Sequence, residues 1–200
     1  MNYTIAPRIF LLLLLMSGFS VTSWAQSYRI ADNSSMSIIG SSNVTDWEAE
    51  VKTIRGQVVL NNMNSSDWSA ADASWFERIE LSFPVADIDA DSRRMNSNMH
   101  QYLKESSHPE ITYVFNEAVT LSGSANPALQ ATLSGIVTVG GEARPVEHDI
   151  EIRRGENGQL IVTGSKALKM TDFDISPPTA LLGSVRAEDD IEIVFELFLR

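Results

Sequence analysis

Leu129-Gln130-Ala131-Thr132-Leu133-Ser134-Gly135-Ile136-Val137-Thr138-Val139-Gly140-Gly141, running on through Glu142-Ala143-Arg144-Pro145 to Val146-Glu147-His148-Asp149-Ile150-Glu151-Ile152, is the stretch on which the fold turns. Leu129, Ala131, Leu133, Gly135, Val137 and Val139 stand at alternate positions, and so do Val146, His148, Ile150 and Ile152. Side chains two apart share one face of an extended chain, so each run reads as a strand with one apolar face. Gly140-Gly141 between them reads as a tight hairpin, which makes the two strands antiparallel neighbours.

The same period extends in both directions. Met36, Ile38 and Gly40 alternate, as do Ile79, Leu81, Phe83 and Val85, then Ile111, Tyr113 and Phe115, then Leu160 and Val162 past the Gly155-Glu156-Asn157-Gly158 turn, and finally Ile191, Ile193, Phe195, Leu197 and Leu199. With Ser27 to Asp32 and the Trp47 to Leu60 stretch, about eight strands are expected, enough to close a small antiparallel barrel and so remove exposed sheet edges. One segment departs from the pattern. Between Asp91 and Glu105, Met95, Met99, Tyr102 and Leu103 recur at spacings of three and four, which predicts one short helix capped by Asp91 or Ser92 and unable to pass Pro109. Asn61 to Ser74 reads as a long polar loop and Ser122 to Pro127 as a shorter one.

The first 25 residues are read apart from the fold. Arg8, the apolar run Ile9 to Met16 and the small-residue site Ser23-Trp24-Ala25 have the form of a secretory signal peptide, which leaves 26–200 as one all-β domain in the periplasm. Without that segment and its one Arg, the net charge of −11 becomes −12, an unfavourable balance for binding nucleic acid or anionic lipid surfaces. No later segment is apolar and long enough for stable membrane insertion as a helix. There is no Cys, so burial rather than disulfides must hold the fold, and thiol chemistry is excluded.

Candidate chemical sites are weak. Asp87, Asp89 and Asp91 imitate the opening of a calcium loop, but Ser92 and Asn98 stand where Gly and a bidentate acid are needed. His100, His108 and His148 lack metal-ligand spacing, and no metal or other cofactor is expected. Ser134 lies mid-strand rather than on a nucleophile elbow, and Asp189-Asp190 reads as a solvated strand entrance. His148, on an apolar face, is either a core imidazole satisfied by a neighbour or a polar anchor inside the barrel.

Four segments in order carry a resemblance. Phe83-Pro84-Val85-Ala86-Asp87-Ile88-Asp89 is followed by Met95-Asn96, Asn98-Met99, Tyr102-Leu103 and His108-Pro109-Glu110-Ile111-Thr112-Tyr113. Then come Leu133-Ser134-Gly135 through Gly140-Gly141 to Arg144-Pro145-Val146, and Met170-Thr171-Asp172-Phe173-Asp174-Ile175. Together they resemble the YceI-like family of periplasmic polyisoprenoid-binding proteins, with Asp174 where the family's late "D-F-G-I" motif has Gly. Gly40 to Glu48 departs from the family's more common His-containing run. The resemblance implies a lipocalin-like barrel with a helix near one opening and an apolar tunnel for an isoprenoid or similar long-chain lipid. It also admits a homodimer.

An alternating face by itself usually fills its own core, so a tunnel and a filled barrel both fit the pattern. Inward-facing Gly40, Gly135 and Gly164, and deformable Met36, Met95 and Met99, favour a tunnel. Its expected lining is Met36, Ile38, Phe83, Val85, Met95, Met99, Tyr102, Leu103, Tyr113, Phe115, Leu133, Val137, His148, Ile150, Ile193 and Phe195, with Tyr102 or His148 bonding a head group. The competing expectations are a filled barrel acting as an envelope-stress or interaction module through an exposed patch at Trp68, Trp75 and Phe76, and a lipid-modifying enzyme built on His148. No motif supports catalysis, and the carrier is the leading expectation.

Overall fold

The computed structural model describes residues 25–123 and 128–200. The signal-peptide segment therefore lies outside the described residues, apart from Ala25, which opens the first strand.

The described residues form an antiparallel sheet of β1 (Ala25–Tyr28), β2 (Ser35–Ser42), β3 (Asp46–Val51), β4 (Arg55–Asn61), β5 (Phe76–Pro84), β6 (Ile88–Asp89), β7 (Glu110–Gly123), β8 (Ala128–Val139), β9 (Glu142–Arg154), β10 (Leu160–Lys169), β11 (Thr179–Ala180) and β12 (Val185–Leu199), with one α-helix, α1 (Arg93–Tyr102). Hydrogen-bonded neighbours follow the order β1-β4-β5-β7-β8-β9-β10-β12-β2-β3-β6, and β11 pairs with β12. The sheet curls until its margins meet. Beyond β1, Arg29 and Arg200 exchange backbone hydrogen bonds of 2.8 and 2.9 Å, and Ile30 bridges Leu199. On the other margin β6 pairs with β3, and β6 itself continues from β5 through a single 3-10 turn, Val85–Asp87. Every long strand thus finds partners on both sides, and the barrel expected from the alternation is present.

Local chemistry explains the connections. Gly140 and Gly141 have φ of 57° and 89°, the two successive positive values a tight hairpin between twisted strands demands. Ser92 caps α1 by accepting a hydrogen bond from Met95 N–H, and Lys104, at φ 59°, ends the helical run well before Pro109. The helix is therefore shorter than the expected Asp91 to Glu105.

Several expectations need correction. The Trp47 to Leu60 stretch is two strands, because at Lys52 the chain leaves β3, donates to Asp87 O at 2.9 Å and crosses to the opposite sheet margin. That crossing makes nine strands of six residues or more, where about eight were expected. β12 begins at Val185 rather than Ile191, so Asp189 and Asp190 lie within the strand rather than at its entrance, with Asp190 exposed as expected. Asp189 accepts hydrogen bonds from Thr171 N–H and Oγ1 at 2.9 and 2.7 Å, and Asp190 accepts one from Lys169 at 2.7 Å. They tie the 3-10 turn Met170–Phe173 to the barrel rim. The extra length of β12 is absorbed by a register shift between Ala187 and Ile191.

Candidate functional site

The Asn61 to Ser74 segment, polar in composition, is a plug. Its Trp68 is 0 % exposed and its Met63 1 % exposed. Trp68 meets Trp75 edge to face at 6.4 Å between centroids, and the Arg154 guanidinium lies 4.9 Å over the Trp68 ring while donating to the carbonyls of Met63 and Ser65. A Cβ on Gly123 would strike the Trp68 carbonyl, so the end of β7 is pressed against the plug. Trp75 and Phe76 are also buried, which overturns the exposed aromatic patch on which the interaction-module expectation rested. Three aromatic side chains in a polar context looked surface-bound because a sequence pattern cannot tell a loop over the barrel from one folded into its mouth.

Above the plug lies a cavity of about 510 Å³. This falls within the roughly 300–1,000 Å³ typical of small-molecule sites, so the filled-barrel expectation does not hold. Of the residues expected to line it, Met36 and Ile38 of β2, Phe83 of β5, Tyr113 of β7, Leu133 and Val137 of β8, His148 and Ile150 of β9, and Ile193 and Phe195 of β12 do so. Met95, Met99, Tyr102 and Leu103 do so from α1 and its end. Two do not. Val85 is fully buried but sits past Pro84, where β5 gives way to a 3-10 turn and the period of two stops. Phe115 stacks at 6.0 Å on Phe76 towards the plug, just where β7 shifts register between Phe115 and Glu117.

The inward glycines work differently from expectation. A Cβ on Gly40 would collide with the Trp47 ring, one on Gly135 with the Tyr113 ring, and one on Gly164 with the Phe195 ring. Each glycine thus receives an aromatic ring against the wall, and the rings do not have to project across the lumen. The space gained belongs to the ring first and to the cavity second.

α1 covers the other end. None of its residues is fully buried, and its apolar face lies over the cavity. It is tethered to the sheet by Ala90 N–H donating to Asn96 Oδ1 at 2.8 Å, Asn96 Nδ2 donating to Asp89 Oδ1 at 2.7 Å, and His100 Nε2 donating to Ile88 O at 2.8 Å. These bonds use Asp89, one of the calcium-like acids, and no cluster of three or more metal-binding side chains occurs among the described residues. Ser42, Thr45, Ser92, Arg94, Asn98 and Thr179 supply polar lining from α1 and from the turns and strand ends around it. A second small core of Val139, Val146, Met170, Phe173 and Ile175 packs beneath this rim. In it Asp174 adopts φ 59°, the left-handed conformation that favours Gly and that Asp tolerates.

Between plug and rim the apolar wall carries three polar side chains. Tyr113 is buried, its hydroxyl has no hydrogen-bond partner among the described residues, and burial pushes its phenol pKa up. His148 meets Tyr113 edge to face at 5.2 Å and Phe195 at 6.3 Å. Burial first, then the Lys166 charge, lower the imidazole pKa to about 4, and Asp149 opposes this weakly. His148 is therefore neutral at physiological pH, and among the described residues neither ring nitrogen has a hydrogen-bond partner, so it is not the satisfied core imidazole of the first alternative. Lys166 was missed at the level of sequence. It continues the inward phase of Leu160, Val162 and Gly164, so the signal was there, but a Lys on an apolar face is ordinarily discounted.

A curled antiparallel barrel, plugged at one end and wrapped around an apolar cavity, has the architecture of the lipocalin-like binding proteins. The chain belongs to the YceI-like family, whose domain model matches residues 28–199. No curated protein sequence matches it significantly. Among solved structures, Burkholderia cenocepacia BcnA is similar at 18% identity and a TM-score of 0.65, covering 82% of this chain and 95% of its own. A polyisoprenoid binding domain from Saccharophagus degradans, implicated in plant cell wall breakdown, is similar at 11% identity and a TM-score of 0.64, with 88% and 99% covered. The Campylobacter jejuni YCEI protein is similar at 15% identity and a TM-score of 0.57, with 75% and 82% covered. At such identities the likeness is one of fold.

Proposed function

We propose that this chain is an exported, periplasmic binding protein that holds a long-chain amphiphile, an isoprenoid above all, in the barrel and does no covalent chemistry on it. The observation that carries the reading is the apolar cavity of about 510 Å³, lined towards the plug by Leu60 and Phe76, which share a buried core with Trp68, and covered at the other end by the half-exposed α1. Membership of the YceI-like family and the likeness to a domain described as polyisoprenoid-binding support the ligand class. The leader-like first 25 residues support export.

The energetics suit a hydrocarbon. Each methylene transferred from water to the wall contributes roughly 0.8 kcal/mol, so about ten of them offset the several kcal/mol lost on immobilising the ligand. The methionines on α1 supply deformable contacts for a flexible tail.

Organic extraction of protein purified from a bacterial periplasm, with mass spectrometry of the extract and of the intact complex, tests this reading. A bound polyisoprenoid or comparable lipid is expected. Protein that emerges lipid-free and takes up neither an isoprenoid alcohol nor an isoprenoid quinone would sink it.

A further inference from the structure

Lys166, His148 and Tyr113 stand on three strands at one level of the barrel. The β9–β10 ladder pairs Gly164 with Ile150 and Ser165 with Asp149, so the next step along both strands brings Lys166 beside His148. The Tyr113 ring then meets His148 at 5.2 Å. Gly135 makes that placement possible, because any side chain there would occupy the volume of the Tyr113 ring and hydroxyl. All three side chains line the cavity.

Polar groups in an apolar wall are costly unless something answers them. Here nothing within the described residues does. The Tyr113 hydroxyl is buried and unpartnered, and neither Lys166 nor His148 makes a hydrogen bond or ion pair there. The unanswered groups are chiefly donors: an ammonium with three N–H bonds, a phenol O–H, and one imidazole N–H. Asp149, the nearest acid in sequence, belongs to the outward face, where it accepts a hydrogen bond from Thr132 at 2.6 Å.

We infer that Lys166, His148 and Tyr113 form an internal anchor for the carboxylate of a long-chain acid, so that the ligand enters with its head group in the middle of the barrel. The inference rests on the carrier reading and specifies its ligand class. A single cation balances a single anion. A carboxylate accepts from Lys166 and Tyr113 together, and its charge is cancelled within the low-dielectric wall. A diphosphate would bring surplus negative charge that Lys166 alone does not neutralise, since the other lining cation among the described residues, Arg94, stands on α1, and an alcohol would leave the ammonium uncompensated.

Geranylgeranoic acid, geranylgeraniol and geranylgeranyl diphosphate share one tail and differ only in the head. Their binding to the wild-type protein, read by the fluorescence of Trp47 in the cavity wall and by calorimetry, requires no variant. The acid is expected to bind about tenfold or more tighter than the alcohol, as an answered charge in an apolar site implies, and tighter than the diphosphate. In Lys166→Met the preference for acid over alcohol should vanish. Tyr113→Phe, which removes one oxygen and leaves the ring over Gly135, should weaken the acid by about threefold to tenfold, more than it weakens the alcohol. Equal affinities for acid and alcohol, a diphosphate that binds tightest, or an acid preference that survives Lys166→Met would each overturn the anchor and leave the carrier standing. If none of the three ligands binds, the carrier reading itself fails.

Discussion

At the plugged end of the barrel Trp68 is wholly buried, held edge to face by Trp75, stacked under Arg154 and pressed against β7 at Gly123. At the opposite end α1 lays Met95, Met99 and Tyr102 over the same lumen without burying any of them completely, and only a few side-chain bonds tie it to β6. Both ends are covered by apolar side chains from a non-strand segment. The difference lies in how completely those side chains are enclosed. Full enclosure contributes more stability than partial enclosure, so on the proposed reading α1 rather than the plug is the end through which a guest would pass.

The contrast is broken most directly at the plug. Trp68→Ala should cost about 3–5 kcal/mol of stability, as for a fully enclosed aromatic in a close-packed core, read as a lowered urea midpoint. A loss no larger than that of an exposed side chain would mean that the plug is no better packed than the lid.

Midway between the ends, burial disfavours the charged form of His148, with Lys166 pushing the same way and Asp149 opposing, while Tyr113 and Phe195 pack against the ring. The folded-state pKa of about 4 lies below the ordinary 6.5. The unfolded chain therefore takes up this proton first as pH falls. The stability attached to the neutral ring is complete above pH 6.5 and is lost between there and pH 4, at most on the order of 3 kcal/mol. His148→Phe should remove this portion of the acid sensitivity, visible on comparing unfolding midpoints at pH 7.5 and 4.5. Identical pH dependence in the two proteins would mean the imidazole is not desolvated and the lumen is wetter than its walls suggest.

The smallest stability effect belongs to the lid. Met95→Ala combined with Met99→Ala should cost about 1 kcal/mol or less, as at partly exposed positions, yet release bound geranylgeraniol several-fold faster in stopped-flow. A large stability loss with unchanged release would assign α1 to the core and move the route of entry elsewhere.

Much of this was legible in the residue order. The period of two located β2, β5, β7, β8, β9 and the C-terminal part of β12, and two successive glycines located a hairpin, because strand faces and tight turns are local consequences of backbone geometry. The helix was legible through its change of period, and the family through four ordered segments. The cavity residues followed wherever a strand kept its phase. They were misplaced at Val85 and Phe115, where Pro84 and a bulge interrupt it.

What the order of residues could not decide was everything that depends on segments far apart in the chain. Trp68 became a plug only because the Asn61 to Ser74 loop folds back under β7 and β9, and no local pattern encodes that return. Gly40, Gly135 and Gly164 turned out to seat aromatic rings, a fact that requires knowing which side chain crosses which strand. Lys166 gained its meaning from the closed barrel, which set it beside His148 and Tyr113 in an apolar wall. Periodicity is written in neighbours two to four residues apart, whereas enclosure is a property of surfaces that meet only when the sheet has curled.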